Sequence, residues 1–201
     1  MSTEQAEHAG PERADGAAQP DGEQHDGEQH YGEQDEPLRI DVVGAPHAGE
    51  LLTVRRAAFV TEAQRYGDPH LPALTQTLGE LVADLQRPDV VTIGGWQGHR
   101  LVGSIRVELE GDKATLGRLA VVPDLQGLGI GTQLLLAVLQ YLPEQTQEVW
   151  VFTGQDSKQN LALYAKQGYE HQFDQHTGEL TYAYLRKILG DGELAHGLPG
   201  A

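Results

Sequence analysis

The chain has 201 residues, a formal net charge of −16, one methionine and no cysteine. This length predicts one domain with tails, and the lack of cysteine excludes disulfides, thiolate metal sites and a cysteine nucleophile. No apolar run reaches the ~18 residues of a membrane span, and no apolar stretch near the N-terminus indicates a secretory signal. We therefore expect a cytoplasmic protein that does not engage a membrane.

Residues 1–36 differ in composition from the rest of the chain. They contain no Val, Ile, Leu, Phe or Trp and hold eleven acidic residues against Arg13, so they carry −10 of the net charge. Such a segment buries too little apolar surface to offset the entropy lost on folding. The sequence predicts a disordered acidic tail over 1–36, a folded domain over 37–189 and a flexible tail over 190–201. Residues 37–201 retain a charge of −6, which disfavours nucleic-acid binding.

Between the tails, apolar periodicity and turn signals predict eleven elements in the order β-α-α-β-β-β-α-β-α-β-β. The first six are strand 39–43, helices 48–64 and 77–86, and strands 90–94, 101–110 and 114–122. The last five are helix 131–142, strand 148–153, helix 157–167, and strands 169–175 and 180–189. Gly111 and Asp112 indicate a hairpin turn. Gly168 indicates a helix end.

A glycine-rich turn follows the strand that ends in Val121-Val122-Pro123. Gly127, Gly129 and Gly131 alternate there and lead directly into a helix. The amides of such a turn can converge on one point, and the helix adds its free N–H groups and the positive end of its dipole. The pattern therefore predicts a phosphate-binding turn that needs no lysine.

Two familiar phosphate-binding motifs fit this turn poorly. A Walker loop requires Gly-Lys-Ser/Thr, and no lysine occurs between Lys113 and Lys158. A dinucleotide fingerprint requires Gly-x-Gly-x-x-Gly directly after the strand, but Thr132 occupies the third glycine position and four residues precede the first glycine. The sequence excludes the first motif and disfavours the second.

The pattern Gln/Arg-x-x-Gly-x-Gly/Ala, met here by Gln126, Gly129 and Gly131, resembles the acyl-CoA site of the GCN5-related N-acetyltransferases. The stretch from Asn160 to Tyr169 is similar to that family's second CoA-side motif, and the predicted element order is the family's own. The resemblance spans about residues 38–189. It implies an α/β (α+β) fold with a mixed, mostly antiparallel central sheet and flanking helices.

The resemblance also implies acetyl-CoA as co-substrate, with no metal. Leu119 and Val121 would pair with the pantetheine arm through their backbones, and the Val121 amide would polarise the thioester carbonyl. The pyrophosphate would bind to the amides of the turn, with contacts from the next helix. The implied coenzyme residues are Leu119, Val121, Gln126, Gly127, Leu128, Gly129, Ile130, Gly131, Thr132, Ser157 and Asn160. Ser157 stands where the family often has Asn; it can cap the helix but cannot make both hydrogen bonds of an amide.

The implied reaction is acetyl transfer to a primary amine of a small molecule or peptide by direct attack in a ternary complex. By the resemblance, Tyr164 matches the tyrosine that protonates the departing thiolate in this family. Its phenol carries a proton at neutral pH, as a general acid must. Glu108 is the first candidate for the base, with Glu62 and His70 as rivals. The alternative to an enzyme is a non-catalytic module that retains the fold and binds CoA or a partner.

The acceptor would bind where the loop 66–75 and the hairpin 176–182 cover the sheet. Arginines of the first helix, or Arg106 and Arg118, can pair with a carboxylate, so acceptors with both an amine and a carboxylate are admissible. The sequence does not establish which face Arg106 and Arg118 take. The last strand, 180–189, is expected to be an exposed edge of the sheet and is therefore a candidate for pairing across a homodimer.

Overall fold

The computed structural model describes residues 36–178 and 180–190. The strands are β1 Arg39–Val42, β2 Val90–Gln97, β3 Arg100–Glu110, β4 Lys113–Val121, β5 Glu148–Gly154, β6 Glu170–Thr177 and β7 Leu180–Ile188. The helices are α1 Ala48–Tyr66, α2 Pro72–Thr75, α3 Leu78–Leu85, α4 Ile130–Ala137 and α5 Lys158–Lys166. The predicted tails lie outside the described residues, apart from Glu36 and Gly190.

The predicted element order is confirmed, with short additions. α2 lies in the predicted loop 66–75 and starts at Pro72, whose fixed φ suits a first helical position. α4 passes into a 3₁₀ turn, Val138–Tyr141, so the predicted helix 131–142 is α-helical only in its first part. α3 begins with a capping box, in which Thr77 and Glu80 each accept a hydrogen bond from the other's backbone amide.

The seven strands form one sheet in the order β1-β2-β3-β4-β5-β7-β6. All neighbouring pairs are antiparallel except β4 and β5, which are parallel. The prediction that the last strand is an exposed edge is wrong, because β7 lies between β5 and β6. The β6–β7 hairpin folds back so that β6 covers the outer edge of β7. A dimer through this region stays a prediction.

α1 and α4 pack on opposite faces of the sheet. Arg55 of α1 reaches Thr92 on β2, whereas the Cα of Gly95 on the same strand faces Leu134 of α4. Since successive strand residues point to opposite faces, positions 92 and 95 mark different sides. The buried apolar residues of both helices thus share the core that spans the sheet. None of the described helices is long and apolar enough to cross a membrane.

Gly103 on β3 allows α4 to lie close against the sheet. A Cβ at this position would approach the Ala120 carbonyl oxygen and the Leu134 side chain, each at 2.9 Å, which is too short for either contact. The oxygen belongs to the backbone of β4, and the side chain is that of the fully buried Leu134 of α4, so packing confines both contacts. Gly103 therefore positions the start of α4 relative to β4.

We expect Gly103→Ala to lower the free energy of unfolding by about 1–3 kcal/mol, as overpacked cores do. Gly79 provides the matched control: it lies exposed on α3 with open space at its Cα. Gly79→Ala should raise stability by roughly 0.4–1 kcal/mol. Urea denaturation of both variants measures the difference, and equal stability of the two would contradict the close approach.

Candidate active site

The sheet opens between β4 and β5. The two strands pair over four residues, and the last pair is Leu116 with Val151. Beyond it β4 stays with β3 as far as Val121, whereas β5 stays with β7 as far as Gly154. Among the described residues, no strand fills the gap between the two diverging edges. Their backbone groups can therefore bind an extended ligand as a sheet binds an added strand.

A β-bulge in β4 lies at this gap. Ser104 and Arg106 of β3 pair with Ala120 and Gly117, so β4 holds one residue more than β3 between these pairs. Arg118 within the bulge has a φ of 51°, and no other non-glycine residue of the described ranges has a positive φ. Such a conformation costs of order 1–3 kcal/mol and is characteristic of functional sites. Bulges re-aim side chains and end pairing.

The glycine-rich turn lies at one end of the gap. Gly127 and Gly129 have φ values of 83° and 84°, in the left-handed region that favours glycine. Gly129 is the N-cap of α4, and its carbonyl accepts a hydrogen bond from the amide of Gln133 at 3.0 Å. The amides of the first helical turn have no intrahelical acceptor. Together with the helix dipole, they make this turn a site for an anion such as phosphate.

A groove of about 560 Å³ runs along the turn and the end of β4; we call it the outer groove. Its walls come from α1, β4, the glycine-rich turn, α4 and α5. The coenzyme residues predicted from the sequence that line it are Leu119, Val121, Gln126, Gly127, Gly129, Ile130, Gly131, Thr132, Ser157 and Asn160. The side chain of Leu128 is 66% exposed and does not line the groove.

A second space of about 370 Å³, here called the inner cavity, adjoins the gap. It is bounded by α1, α2, α5 and strands β3, β4, β5 and β7. Leu71 and Pro72 come from the predicted acceptor loop and Tyr182 from the predicted hairpin. The outer groove and the inner cavity share four lining residues: Phe59, Glu62, Leu119 and Asn160. The two spaces therefore meet at the gap between β4 and β5.

Tyr164 of α5 lines the inner cavity and is 6% exposed. Burial raises the pKa of its phenol, and the nearby Glu62 carboxylate raises it further. The ring packs edge-on against Tyr169, with 5.9 Å between centroids. The phenol is consequently protonated at neutral pH and held in one place, as a proton donor must be.

The model of the Acetyltransferase (GNAT) family matches residues 55–169, more than half of the chain. The chain belongs to this family. The matched segment begins in α1 and ends just after α5, so it contains the gap, the glycine-rich turn and Tyr164. The resemblance stated from the sequence is confirmed.

Solved structures show the same GNAT fold at low identity. The PaiA N-acetyltransferase from Thermoplasma acidophilum, solved in complex with coenzyme A, is 18% identical with a TM-score of 0.65 and covers 76% of this chain and 99% of its own. The ribosomal-protein-S18-alanine N-acetyltransferase from Escherichia coli is 16% identical with a TM-score of 0.63, covering 78% and 98%. An acetyltransferase from Thermus thermophilus is 23% identical with a TM-score of 0.61, covering 76% and 97%.

One curated relative, the UPF0157 protein YqkA of Bacillus subtilis (strain 168), is 30% identical over 123 residues. The match covers 61% of this chain and 34% of the relative, so the chain spans about a third of that protein's length. Family and fold together support acetyl-CoA-dependent acetyltransferase activity.

Two of the predicted coenzyme residues are already engaged within the GNAT domain. The Gln126 amide donates to the Val121 carbonyl at 3.0 Å, which ties the turn to the end of β4. Asn160 donates to the Thr153 hydroxyl at 3.2 Å and so links α5 to β5. Ser157 is the N-cap residue of α5, but its side chain makes no capping hydrogen bond. Its expected role as a side-chain cap is therefore wrong.

The candidate bases have different surroundings. Glu108 lines the inner cavity, but its carboxylate accepts hydrogen bonds from Arg106 and Arg87, and these hold its pKa below the usual range. Glu62 lies where groove and cavity meet, and burial raises its pKa against a smaller opposing effect of Arg65. His70 lines neither space.

A cluster of ion pairs forms one wall of the inner cavity. Arg106 binds Asp84 through two hydrogen bonds of 2.8 Å and Glu108 through one of 2.9 Å. Arg118 donates to the Gln76 side chain at 2.6 Å. Sequence reasoning missed Gln76 and Asp84, since neither lies in a motif; only the packing of α3 and its preceding loop on the sheet brings them here.

Proposed function

We propose that this chain is an N-acetyltransferase that transfers the acetyl group of acetyl-CoA to a primary amine by direct attack in a ternary complex. One observation carries the proposal: an anion-binding groove and a separate small cavity meet beside a buried, protonated tyrosine. A donor and an acceptor can therefore be bound at once, with the reacting atoms at the shared boundary. Such positioning alone supplies several kcal/mol to catalysis.

The outer groove suits the coenzyme. Gly127 and Gly129 leave open space at their Cα atoms and expose the backbone of the turn. The amides there and at the start of α4 would bind the pyrophosphate, and the edge of β4 would bind the pantetheine arm. Acetyl-CoA supplies an acetyl group activated as a thioester.

Val121 provides the donor for the developing oxyanion. The amide of Val122 donates to Val102 on β3 at 2.9 Å. Because successive amides of a strand point to opposite sides, the Val121 amide points into the gap. Donors fixed in this way stabilise charge that develops in the transition state.

Tyr164 would protonate the departing thiolate, and Glu62 would accept the proton of the attacking amine. Glu62 is favoured over Glu108 because a raised pKa makes it the stronger base and because it borders both spaces. Glu108 remains the alternative, since it faces the same cavity. Both roles agree with proton transfers worth roughly 10²–10⁴ in rate.

The proposed function is tested first by acetyl-CoA binding and thiol release. We expect wild type to bind acetyl-CoA in calorimetry and to release thiol when amines are added, whereas Gly129→Glu should do neither, because a carboxylate enters the anion site. Gly111→Glu is the matched control: Gly111 also has a positive φ and open space but lies in the β3–β4 turn. Binding without thiol release in wild type would favour the non-catalytic module.

The role of Tyr164 is tested by removing its hydroxyl. Tyr164→Phe should lower kcat about tenfold or more, as loss of a general acid does. The Kd for acetyl-CoA should change little, because Tyr164 lines the inner cavity and not the outer groove. Tyr169→Phe makes the same change in the neighbouring ring and should retain activity. An unchanged kcat in Tyr164→Phe would remove this residue from the mechanism.

The two carboxylates are distinguished by the dependence of kcat on pH. Below its pKa Glu62 is protonated and cannot accept a proton, so activity should rise with pH through a midpoint above the usual glutamate value of 4.5. Glu62→Gln should lower kcat roughly 10²-fold and abolish this rise of activity with pH, which is the acidic limb of the pH profile. Glu108→Gln should leave the limb in place. Loss of the limb in Glu108→Gln alone would make Glu108 the base.

A further inference from the structure

The charges of the inner cavity bear on the kind of amine it accepts, and this inference rests on the proposed function. Two arginines line the cavity, Arg106 and Arg118. Arg106 is fully engaged by the carboxylates of Asp84 and Glu108. Glu108 in turn uses its second oxygen for Arg87. This part of the wall is therefore already neutralised.

Arg118 has a different environment. Its hydrogen-bond partner is the neutral side chain of Gln76, and within the described residues it forms no ion pair with a carboxylate. Burial lowers the pKa of its guanidinium. The charge of the nearby Asp84 carboxylate opposes this effect, and the smaller effects of Arg106 and Glu108 lower and raise the pKa, respectively. The bulge holds this side chain at the cavity in a backbone conformation that costs free energy. An anion arriving there would gain a bidentate partner.

The surrounding cluster carries an excess of positive charge. Besides Arg87 and Arg106, it includes Arg55, which is 0% exposed and whose pKa falls to about 9 on burial, so that it stays cationic at neutral pH. Four guanidinium groups, counting Arg118, face three carboxylates: Asp84, Asp89 and Glu108. A bound anion would balance this charge.

Another part of the cavity lining has the opposite character. Glu62 and Tyr164 lie there, and the charge of Glu62 reaches the tyrosine. Aromatic rings of Phe59, Phe152 and Tyr182 line the space. A volume of about 370 Å³ suits a small molecule rather than a folded protein. The cavity thus presents a cation, apolar rings and a base.

We propose that the acceptor is a small primary amine that also carries a carboxylate, with the carboxylate bound by Arg118 and the amine directed to Glu62. The donor phosphates do not compete for Arg118, because this residue lines the inner cavity and not the outer groove. Arg118 is then a specificity residue: it binds the acceptor without taking part in bond formation.

The test compares each amino acid with its own carboxamide. Glycine, β-alanine, 4-aminobutanoate, 6-aminohexanoate and L-phenylalanine vary the distance between the two groups, and each amide keeps the skeleton without the charge. Acetyl transfer from acetyl-CoA is measured as kcat/KM for every pair. In wild type at least one acid should exceed its amide roughly tenfold or more. The best chain length then reports the span from Arg118 to the reacting amine.

Three variants assign this preference to a residue. Arg118→Gln should reduce the acid-to-amide ratio to near one, chiefly through KM, and Arg118→Lys should retain part of it because the charge remains. Arg56→Gln is the matched control. The guanidinium of Arg56 also donates to Gln76, at its backbone carbonyl, but Arg56 is exposed and lines neither the outer groove nor the inner cavity. Its ratio should equal that of wild type.

Equal rates with acids and amides in wild type would overturn this inference and leave the proposed function standing. A preference that persists in Arg118→Gln would also overturn it, because the carboxylate would then bind elsewhere. No transfer to either series, with acetyl-CoA bound, would overturn this inference. The proposed function would fall with it only if no other amine released thiol either.

Discussion

The separation of β4 from β5 is the constraint on which the site depends. Four parallel pairs hold the strands together, and the bulge at Arg118 then turns β4 away. A sheet that stayed paired would use its amides and carbonyls internally, and no extended ligand could bind at its centre. Divergence of the strands releases those groups between two helices, α1 and α5, whose side chains form the walls. The outer groove and the inner cavity both border this gap between β4 and β5.

The opening is polarised by the residues around it. Helix amides and left-handed glycines make one end receptive to phosphate, whereas the inner cavity combines a buried base with an arginine that has no carboxylate partner in the described chain. Burying a guanidinium such as that of Arg55 without a paired carboxylate is costly. The charge of the nearby Asp84 carboxylate offsets part of this cost, since it raises the pKa of Arg55 against the effect of burial. The remaining positive charge is a property that a ligand can use.

Local patterns were sufficient for most of the fold. Helical spacing of apolar residues in 48–64 and 77–86, and alternation in the strands, predicted elements close to those observed, because each pattern reflects burial of one face. The glycine-rich turn and Tyr164 were predicted from motifs whose residues are adjacent in sequence. The edge position of the last strand was predicted wrongly, since strand order depends on how the β6–β7 hairpin folds back, which no local pattern encodes.

The sequence by itself determined the element order, the family and the glycine-rich turn of the outer groove, because these depend on backbone conformation and on side chains within short segments. Only the tertiary structure decided the chemistry of the inner cavity. Glu62 of α1 and Tyr164 of α5 meet there although they lie far apart in the chain, and ion pairing distinguishes Glu108 from Glu62. The burial of a side chain and the charges near it depend on the residues that pack against it. For this cavity those residues come from seven separate helices and strands.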